Sequence, residues 1–241
     1  MFAAENAPLI GLTIEVLEPP VYAGRRRYQL FTDYLDCLRD AGAVPILLPA
    51  DAHADEMARW LDVIDGLLLT GGDDVDLRPL GGPAPTTDCK PVPASKQETD
   101  LDLVRAALER KMPLFGVCLG MQMLGLAHGA AYEQHLAGAA AHTKGVEHTV
   151  QAVAGSRLAG LVGAEPFAVP SFHHQALVSA GPGLAAGAFA ADGVLEAVEV
   201  PDRSFAIGVQ WHPERHKDST ATRALFSSFV AAARAYRESS R

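Results

Sequence analysis

The stretch Pro113-Leu-Phe-Gly-Val-Cys-Leu-Gly-Met-Gln122 decides the fold. Pro113 to Val117 reads as a strand, and from Leu119 to about His128 the chain can run on as a helix. Cys118 therefore falls at the turn between them, flanked by Gly116 and Gly120 in a G-x-C-x-G pattern. A sharp strand-to-helix turn holds a reactive atom at its tip, and the neighbouring glycines relieve crowding there. The positive end of the helix also favours a thiolate. Read alone, the same residues equally suit a cysteine buried at a strand end.

On the N-terminal side, strands and helices alternate. Pro8 to Val16 reads as a strand, Tyr28 to Ala41 as a helix with Leu30, Tyr34, Cys37 and Leu38 on one face, Val44 to Leu48 as a strand, Ala54 to Leu61 as a short helix and Val63 to Leu69 as a buried strand. Asp73 to Ala94 carries five prolines and reads as loop, and Ser95 with Glu98 offers a capping-box spacing for a helix bearing Leu101, Val104 and Leu108. Alternation of this kind predicts an α/β fold, a mostly parallel sheet with helices on both faces. After Gly129 the runs shorten (Gly145 to Val153, Phe167 to Val169, Val194 to Val200, Phe205 to Val209), which suits antiparallel additions, before a closing helix from about Thr220 to Tyr236.

Composition bounds the rest. The chain has 241 residues, 49% hydrophobic and 20% charged, which predicts one domain over residues 1–241, with no internal repeat or linker. Twenty basic against 29 acidic residues, a formal charge of -9, argues against nucleic acid and against a polybasic membrane anchor. Glu5 stands where a secretory signal needs positive charge, and no window approaches the roughly 18 apolar residues of a membrane span. Three widely spaced cysteines fit a reducing compartment better than a disulfide framework, so a cytoplasmic location is expected.

Two further segments bear on chemistry. In Gly208-Val-Gln-Trp-His-Pro-Glu214, His212 follows an apolar strand and Glu214 lies two residues on, where an extended backbone would aim both side chains the same way. A cysteine nucleophile needs such a base, and the base needs an orienting group, although a lone H-P-E tripeptide also suits a surface turn. In Leu67-Leu-Leu-Thr-Gly-Gly-Asp-Asp-Val-Asp76, the paired glycines Gly71 and Gly72 could aim backbone N–H groups at a developing oxyanion, with the N–H of Leu119 as a second donor. Neither phosphate-binding glycine pattern is present. His212-Pro-Glu-Arg-His216 is a poor zinc helix because Pro213 disturbs the turn. His128, His135, His142 and His148 are expected to be solvated loop residues, and Asp73, Asp74 and Asp76 to cap or solvate a turn.

These segments, in this order, resemble the class I glutamine amidotransferase-like superfamily over nearly the whole chain. Ile10-Gly-Leu-Thr13, Thr70 to Asp76, Val169-Pro-Ser-Phe-His-His-Gln175 and Gly208 to Glu214 look most like its C26 peptidase branch, the γ-glutamyl-γ-aminobutyrate hydrolase-like proteins. The resemblance implies a flavodoxin-like fold with a triad of Cys118 as nucleophile, His212 as base and acid, and Glu214 as its orienting partner. It implies an oxyanion hole from Gly71, Gly72 and Leu119, and substrate contacts from Gln122, Ser171, His173 and Gln175. His173 suits a packed loop histidine equally well.

What is expected is a hydrolase that cleaves a small-molecule γ-glutamyl amide through a glutamyl thioester, with no metal and no organic cofactor. One departure stands out: this branch usually has arginine after the nucleophile, whereas here Leu119 follows, as in ammonia-donating amidotransferases. The alternative is therefore a glutaminase subunit serving a separate synthetase chain, since 241 residues leave no room for a fused one. A catalytically silent binding module is the alternative of another class. A homo-oligomer is left open.

Overall fold

The structure is a computed structural model that describes residues 6–19 and 24–240; Glu5 lies outside them. Its strands are β1 (Leu9–Thr13), β2 (Glu15–Leu17), β3 (Arg27–Gln29), β4 (Val44–Leu48), β5 (Gly66–Leu69), β6 (Leu114–Val117), β7 (Tyr132–Glu133), β8 (Val146–Ala152), β9 (Phe167–Ser171), β10 (Ala176–Leu177), β11 (Ala185–Ala190), β12 (Leu195–Glu199) and β13 (Ala206–Val209). Six α-helices among the described residues join them: α1 (Thr32–Asp40), α2 (Ala54–Val63), α3 (Ala94–Glu109), α4 (Leu119–Ala127), α5 (Arg157–Val162) and α6 (Thr220–Ser240).

Nine strands form one mixed sheet in the order β4-β1-β5-β6-β13-β12-β11-β8-β9. Its first five strands pair in parallel and the remainder antiparallel. The fold is thus α/β, with a hydrophobic cluster on each side of the sheet. One packs Phe115, Phe205, Phe226 and Phe229 under α6; the other packs Leu67, Leu114, Val104 and Met123 under α3 and α4. The inner parallel strands β5, β6 and β13 are buried along their length, which is why they read as continuous apolar runs rather than alternating ones.

Four details differ from the sequence reading. Tyr28 to Gln29 belongs to β3, paired antiparallel with β2, and the helix begins only at Thr32; Tyr34, Cys37 and Leu38 are its buried face. Phe205 to Val209 supplies β13, which runs parallel to β6 rather than as an antiparallel addition. Pro93 is the N-cap of α3, so Ser95 already lies inside the helix and the Ser95–Glu98 capping box does not form. Finally, α5 and β11 arise from Ala- and Gly-rich segments with little periodic signal. No helix among the described residues is long and apolar enough to cross a membrane.

The helix after Cys118 sits unusually close to the sheet. A Cβ on Gly120 would lie 2.3 Å from the Leu69 carbonyl oxygen, and one on Gly116 would lie 2.6 Å from the Gly120 carbonyl carbon and oxygen. Gly160 in α5, in contrast, has open space where a Cβ would go. Gly120→Ala is expected to lower stability by about 1–3 kcal/mol through overpacking against backbone, and Gly160→Ala to raise it by about 0.5–1 kcal/mol through helix propensity. Urea unfolding midpoints moving in opposite directions would bear this out; equal shifts would mean that α4 has room to retreat.

Candidate active site

Cys118 ends β6 and is the N-cap of α4, with φ 52° and ψ -105°. A non-glycine residue rarely adopts such a conformation, and the surroundings enforce it. Its N–H donates to the Val209 carbonyl across β13 at 2.8 Å, and its carbonyl accepts the first helical bond from the Gln122 N–H. The side chain is buried, 5% exposed. Gln210, at the end of β13, brings its Nε2 to 3.5 Å from Cys118 Sγ.

His212 and Glu214 leave the same strand end. His212 is the N-cap of a 3₁₀ turn over Pro213–His216, so a turn rather than extended backbone brings its Nδ1 to 2.6 Å from Glu214 Oε1. Glu214 is 1% exposed. Burial works against a charged imidazole, yet the negative charge at Cys118, hydrogen bonding to its sulfur and the Glu214 carboxylate outweigh it and raise His212 to about 10. Phe172 stands edge-on to the His212 ring, with centroids 5.7 Å apart.

Gly71 and Gly72 divide their tasks. The Gly71 N–H already donates to the Tyr34 hydroxyl at 3.0 Å, which removes it from the expected oxyanion donors. A Cβ there would meet His212 Cε1 at 2.6 Å, so Gly71 is needed to seat the imidazole. Burial, and then the charge of Glu214, hold the Tyr34 hydroxyl protonated well above its ordinary range. A Cβ on Gly72 would meet Leu119 Cδ2 at 2.8 Å, which brings these two backbone segments side by side. The Leu119 side chain is fully buried.

The four expected substrate contacts are instead buried and engaged within the protein. Gln122 Nε2 donates to the Gln175 carbonyl and to Gln210 Oε1, while Gln122 Oε1 accepts from the Tyr132 hydroxyl. Gln175 bonds Tyr132, the Val75 N–H and the Gln134 carbonyl, and Ser171 Oγ donates to the His142 carbonyl. His173 places Nδ1 3.1 Å from the Gln175 carbonyl. The cleft beside His212, about 340 Å³, is lined by other residues, among them Glu15, Gln29, Asp73, Phe172 and Arg215. The Arg215 guanidinium lies over the rings of Phe172 and Phe31, at 3.9 and 5.3 Å. Asp73 thus faces the cleft, while Asp74 accepts from the Lys90 N–H and Asp76 pairs with Arg78. A larger depression lined by Cys37, Asp40 and Lys217 holds no activated nucleophile: burial, with Glu214 nearby, pushes the Cys37 thiol up to about 12.

Of the histidines expected in solvated loops, His135 is exposed as expected, and the others are not. His142 is buried and, with His148 and His173, surrounds Glu196 of β12, whereas His128 ends α4 with Nδ1 2.9 Å from the Leu124 carbonyl. His216 is exposed on the surface side of the 3₁₀ turn, so it shares no site with His212. Sequence reasoning passed over Gln210, although it stands inside the quoted Gly208–Glu214 segment. Tyr34, Arg215 and Glu196 carried no motif that could have singled them out.

Comparison with known proteins decides the family. Residues 8–214 match the model of the peptidase C26 family. The chain belongs to that family, a branch of the class I glutamine amidotransferases. It is 32% identical to the γ-glutamyl-γ-aminobutyrate hydrolase PuuD of Escherichia coli over 244 residues, covering 94% of each chain. It is 38% identical to a candidate glutamine amidotransferase of Mycobacterium tuberculosis over 242 residues, covering 96% of this chain and 76% of that one. Among solved structures it is similar to a candidate GMP synthase component of Thermoplasma acidophilum, with TM-score 0.69, 19% identity and coverage of 97% and 98%, which speaks to fold alone.

The charge arrangement around His212 has a measurable sign. Its folded pKa lies above the unfolded value of about 6.5, so its stabilising contribution is complete below that pH and is lost as pH rises through about 10. Histidine NMR on the isolated protein should show one ring that stays protonated beyond pH 8. In Cys118→Ala that ring should titrate lower, because burial then acts against Glu214 alone. An unchanged titration would mean that Cys118 and His212 do not interact.

Proposed function

We propose that this C26 family member is a cysteine hydrolase that cleaves the γ-glutamyl amide bond of a small molecule. The observation that carries the reading is the alignment of a buried carboxylate and an imidazole at 2.6 Å with a cysteine on a strained strand-to-helix turn, beside an open cleft. Cys118 Sγ attacks the γ-carbonyl carbon, forming an S–C bond and a tetrahedral oxyanion. The N–H groups of Leu119 and Gly72 receive that charge; Gly71, already bonded to Tyr34, seats His212 instead. His212, held protonated at rest, gives its proton to the leaving amine as the C–N bond breaks. Water then attacks the thioester and loses a proton to His212, and the S–C bond breaks to release the γ-carboxylic acid. Glu214 orients the ring and stabilises its charged form.

The cleft suits the free amino-acid end of a γ-glutamyl compound. Arg215 is available to an α-carboxylate, and Glu15 and Asp73 to an α-ammonium group. The kinship with PuuD, named a γ-glutamyl-γ-aminobutyrate hydrolase, favours a secondary amide over glutamine. Leu119 is the feature that resembles ammonia donors. Its side chain is buried against Gly72 and lies off the cleft wall, so its identity reaches the substrate only through backbone.

Three measurements test this reading. Cys118→Ala should fold and lose turnover, whereas Glu214→Gln should retain more activity than His212→Ala, because the members of a triad contribute unequally. Residual wild-type turnover in Cys118→Ala would remove the nucleophile from the scheme. Arg215→Ala should raise KM by about tenfold, the loss of a charge-assisted hydrogen bond of about 1.5–3 kcal/mol partly screened at an exposed site, with little change in kcat. In a paired assay without partner or nucleotide, the purified chain should hydrolyse at least one secondary γ-glutamyl amide faster than glutamine. Inactivity on every such amide, with glutaminase activity that needs a synthetase chain, would install the ammonia-donor reading.

A further inference from the structure

On the antiparallel side of the sheet, away from the proposed chemistry, lies a buried cluster that the sequence reading did not foresee. Glu196 of β12 is 0% exposed, and neither of its carboxylate oxygens has a hydrogen-bond partner. Three imidazole nitrogens face one of those oxygens: His142 Nδ1 at 3.3 Å, His148 Nε2 at 3.3 Å and His173 Nε2 at 3.4 Å. All three nitrogens are buried and without hydrogen-bond partners of their own. One donor atom each from His142, His148 and Glu196 falls within a common span of 4.8 Å.

The outer nitrogens show which way the inner ones are poised. His142 Nε2 lies 2.8 Å from Asp192 Oδ2, and His173 Nδ1 lies 3.1 Å from the Gln175 carbonyl. A carboxylate and a carbonyl only accept, so these outer nitrogens carry the protons. When neutral, the His142 and His173 rings present their inner lone pairs to the Glu196 carboxylate, and His148, whose Nδ1 has no hydrogen-bond partner, can carry its proton there and do the same. Lone pairs against an anion repel unless a cation stands among them, and a buried carboxylate left without partners costs several kcal/mol. Imidazoles whose far N–H is anchored to carboxylate or carbonyl are the usual dress of metal-bound histidine. Two ligands bound at about 2.0–2.1 Å in a tetrahedron stand about 3.3 Å apart, which is the separation seen between each nitrogen and Glu196 Oε1.

We infer that His142, His148 and Glu196, with His173 as an additional donor, form a binding site for a divalent transition-metal ion of the zinc class. The nitrogen-rich, borderline-soft donor set excludes calcium and magnesium, which require oxygen ligands. The ion's role is to hold structure rather than to react. It ties β8, β12 and the segment after β9 together, and that segment carries Phe172, which packs on His212. The expectation of a metal-free protein arose because the four residues are scattered over 55 positions of sequence, with no ligand spacing to read.

The test uses the full chain in a Cys118→Ser background, so that the thiol cannot supply a ligand. After dialysis against chelator, Co²⁺ titration should give a saturating tetrahedral absorption at one ion per chain, displaced by Zn²⁺, and Zn²⁺ should raise the thermal midpoint. His148→Ala should abolish the absorption. Asp192→Asn, at a half-exposed position whose replacement leaves the core intact, should weaken Zn²⁺ binding by about ten- to a hundredfold through loss of the outer partner of His142. Absence of stoichiometric binding in the folded protein, or binding unaffected by both substitutions, would overturn the inference and leave a cluster charged by protons instead.

Discussion

The approach of the first turn of α4 to the backbones of β5, β6 and β13 is the constraint on which the site depends. Helices normally rest on a sheet through side chains, but here Gly116, Gly120 and Gly208 remove those side chains, so that helix and sheet meet backbone to backbone. That contact leaves Cys118 no extended or helical conformation to adopt, and it settles at φ 52°. Strain of this kind costs about 1–3 kcal/mol. It persists because Leu119, Met121, Met123 and Leu124 are fully buried in the same turns, and each buried side chain of this size contributes about 1.5–3 kcal/mol. The apolar helix is therefore the clamp that holds the cysteine at the tip.

The same close packing organises His212. Because β13 lies next to β6, the end of one strand delivers Cys118 and the end of the other delivers Gln210, His212 and Glu214. The imidazole is confined on one side by the bare backbone of Gly71 and on another by Phe172. Tyr34 of α1 then locks the Gly71 N–H, so a helix that carries neither Cys118 nor His212 contributes to the orientation of the imidazole. This explains why a paired-glycine segment supports a single candidate oxyanion donor: the first glycine is consumed in making room and the second remains.

Legibility followed the range over which each signal operates. The parallel half was readable because a strand buried on both faces must be apolar throughout, and an amphipathic helix must follow to cover it; Gly66 to Leu69 and Leu114 to Val117 satisfy this locally, while Val44 to Leu48 is apolar although it lies at the sheet edge and is partly exposed. The Cys118 turn was readable because glycines at fixed spacing have one steric purpose there. Tyr28 was misplaced because a three-residue strand carries too few positions to distinguish period two from period 3.6. The Ala-rich β11 has no β-branched residues, and its pairing with β12 and β8 rather than its own propensity makes it a strand. The direction of β13 depends on which neighbour claims it, and nothing inside Ala206 to Val209 encodes that. The inward turn of the expected substrate contacts was illegible for a related reason: Ser171, His173 and Gln175 mark a structured segment, but which of its side chains turn inward is set by partners such as Tyr132 and Glu196.

The sheet also explains why the buried histidine cluster and the cleft are physically continuous. Glu196 accepts the Gln210 N–H through its own carbonyl at 2.7 Å, and the Gln210 side chain reaches Cys118 Sγ. On the other flank, the His173 N–H donates to the His142 carbonyl at 2.7 Å, and the residue before it is Phe172, at the edge of His212. Whatever fixes the side chains around Glu196 thus fixes two backbone segments that end at Cys118 and at His212. The parallel half of the sheet supplies the strained turn, and the antiparallel half, which a minimal α/β sheet would lack, supplies the rigid support behind it. A cation among the histidines would act at that support, stiffening the wall of the cleft without entering it.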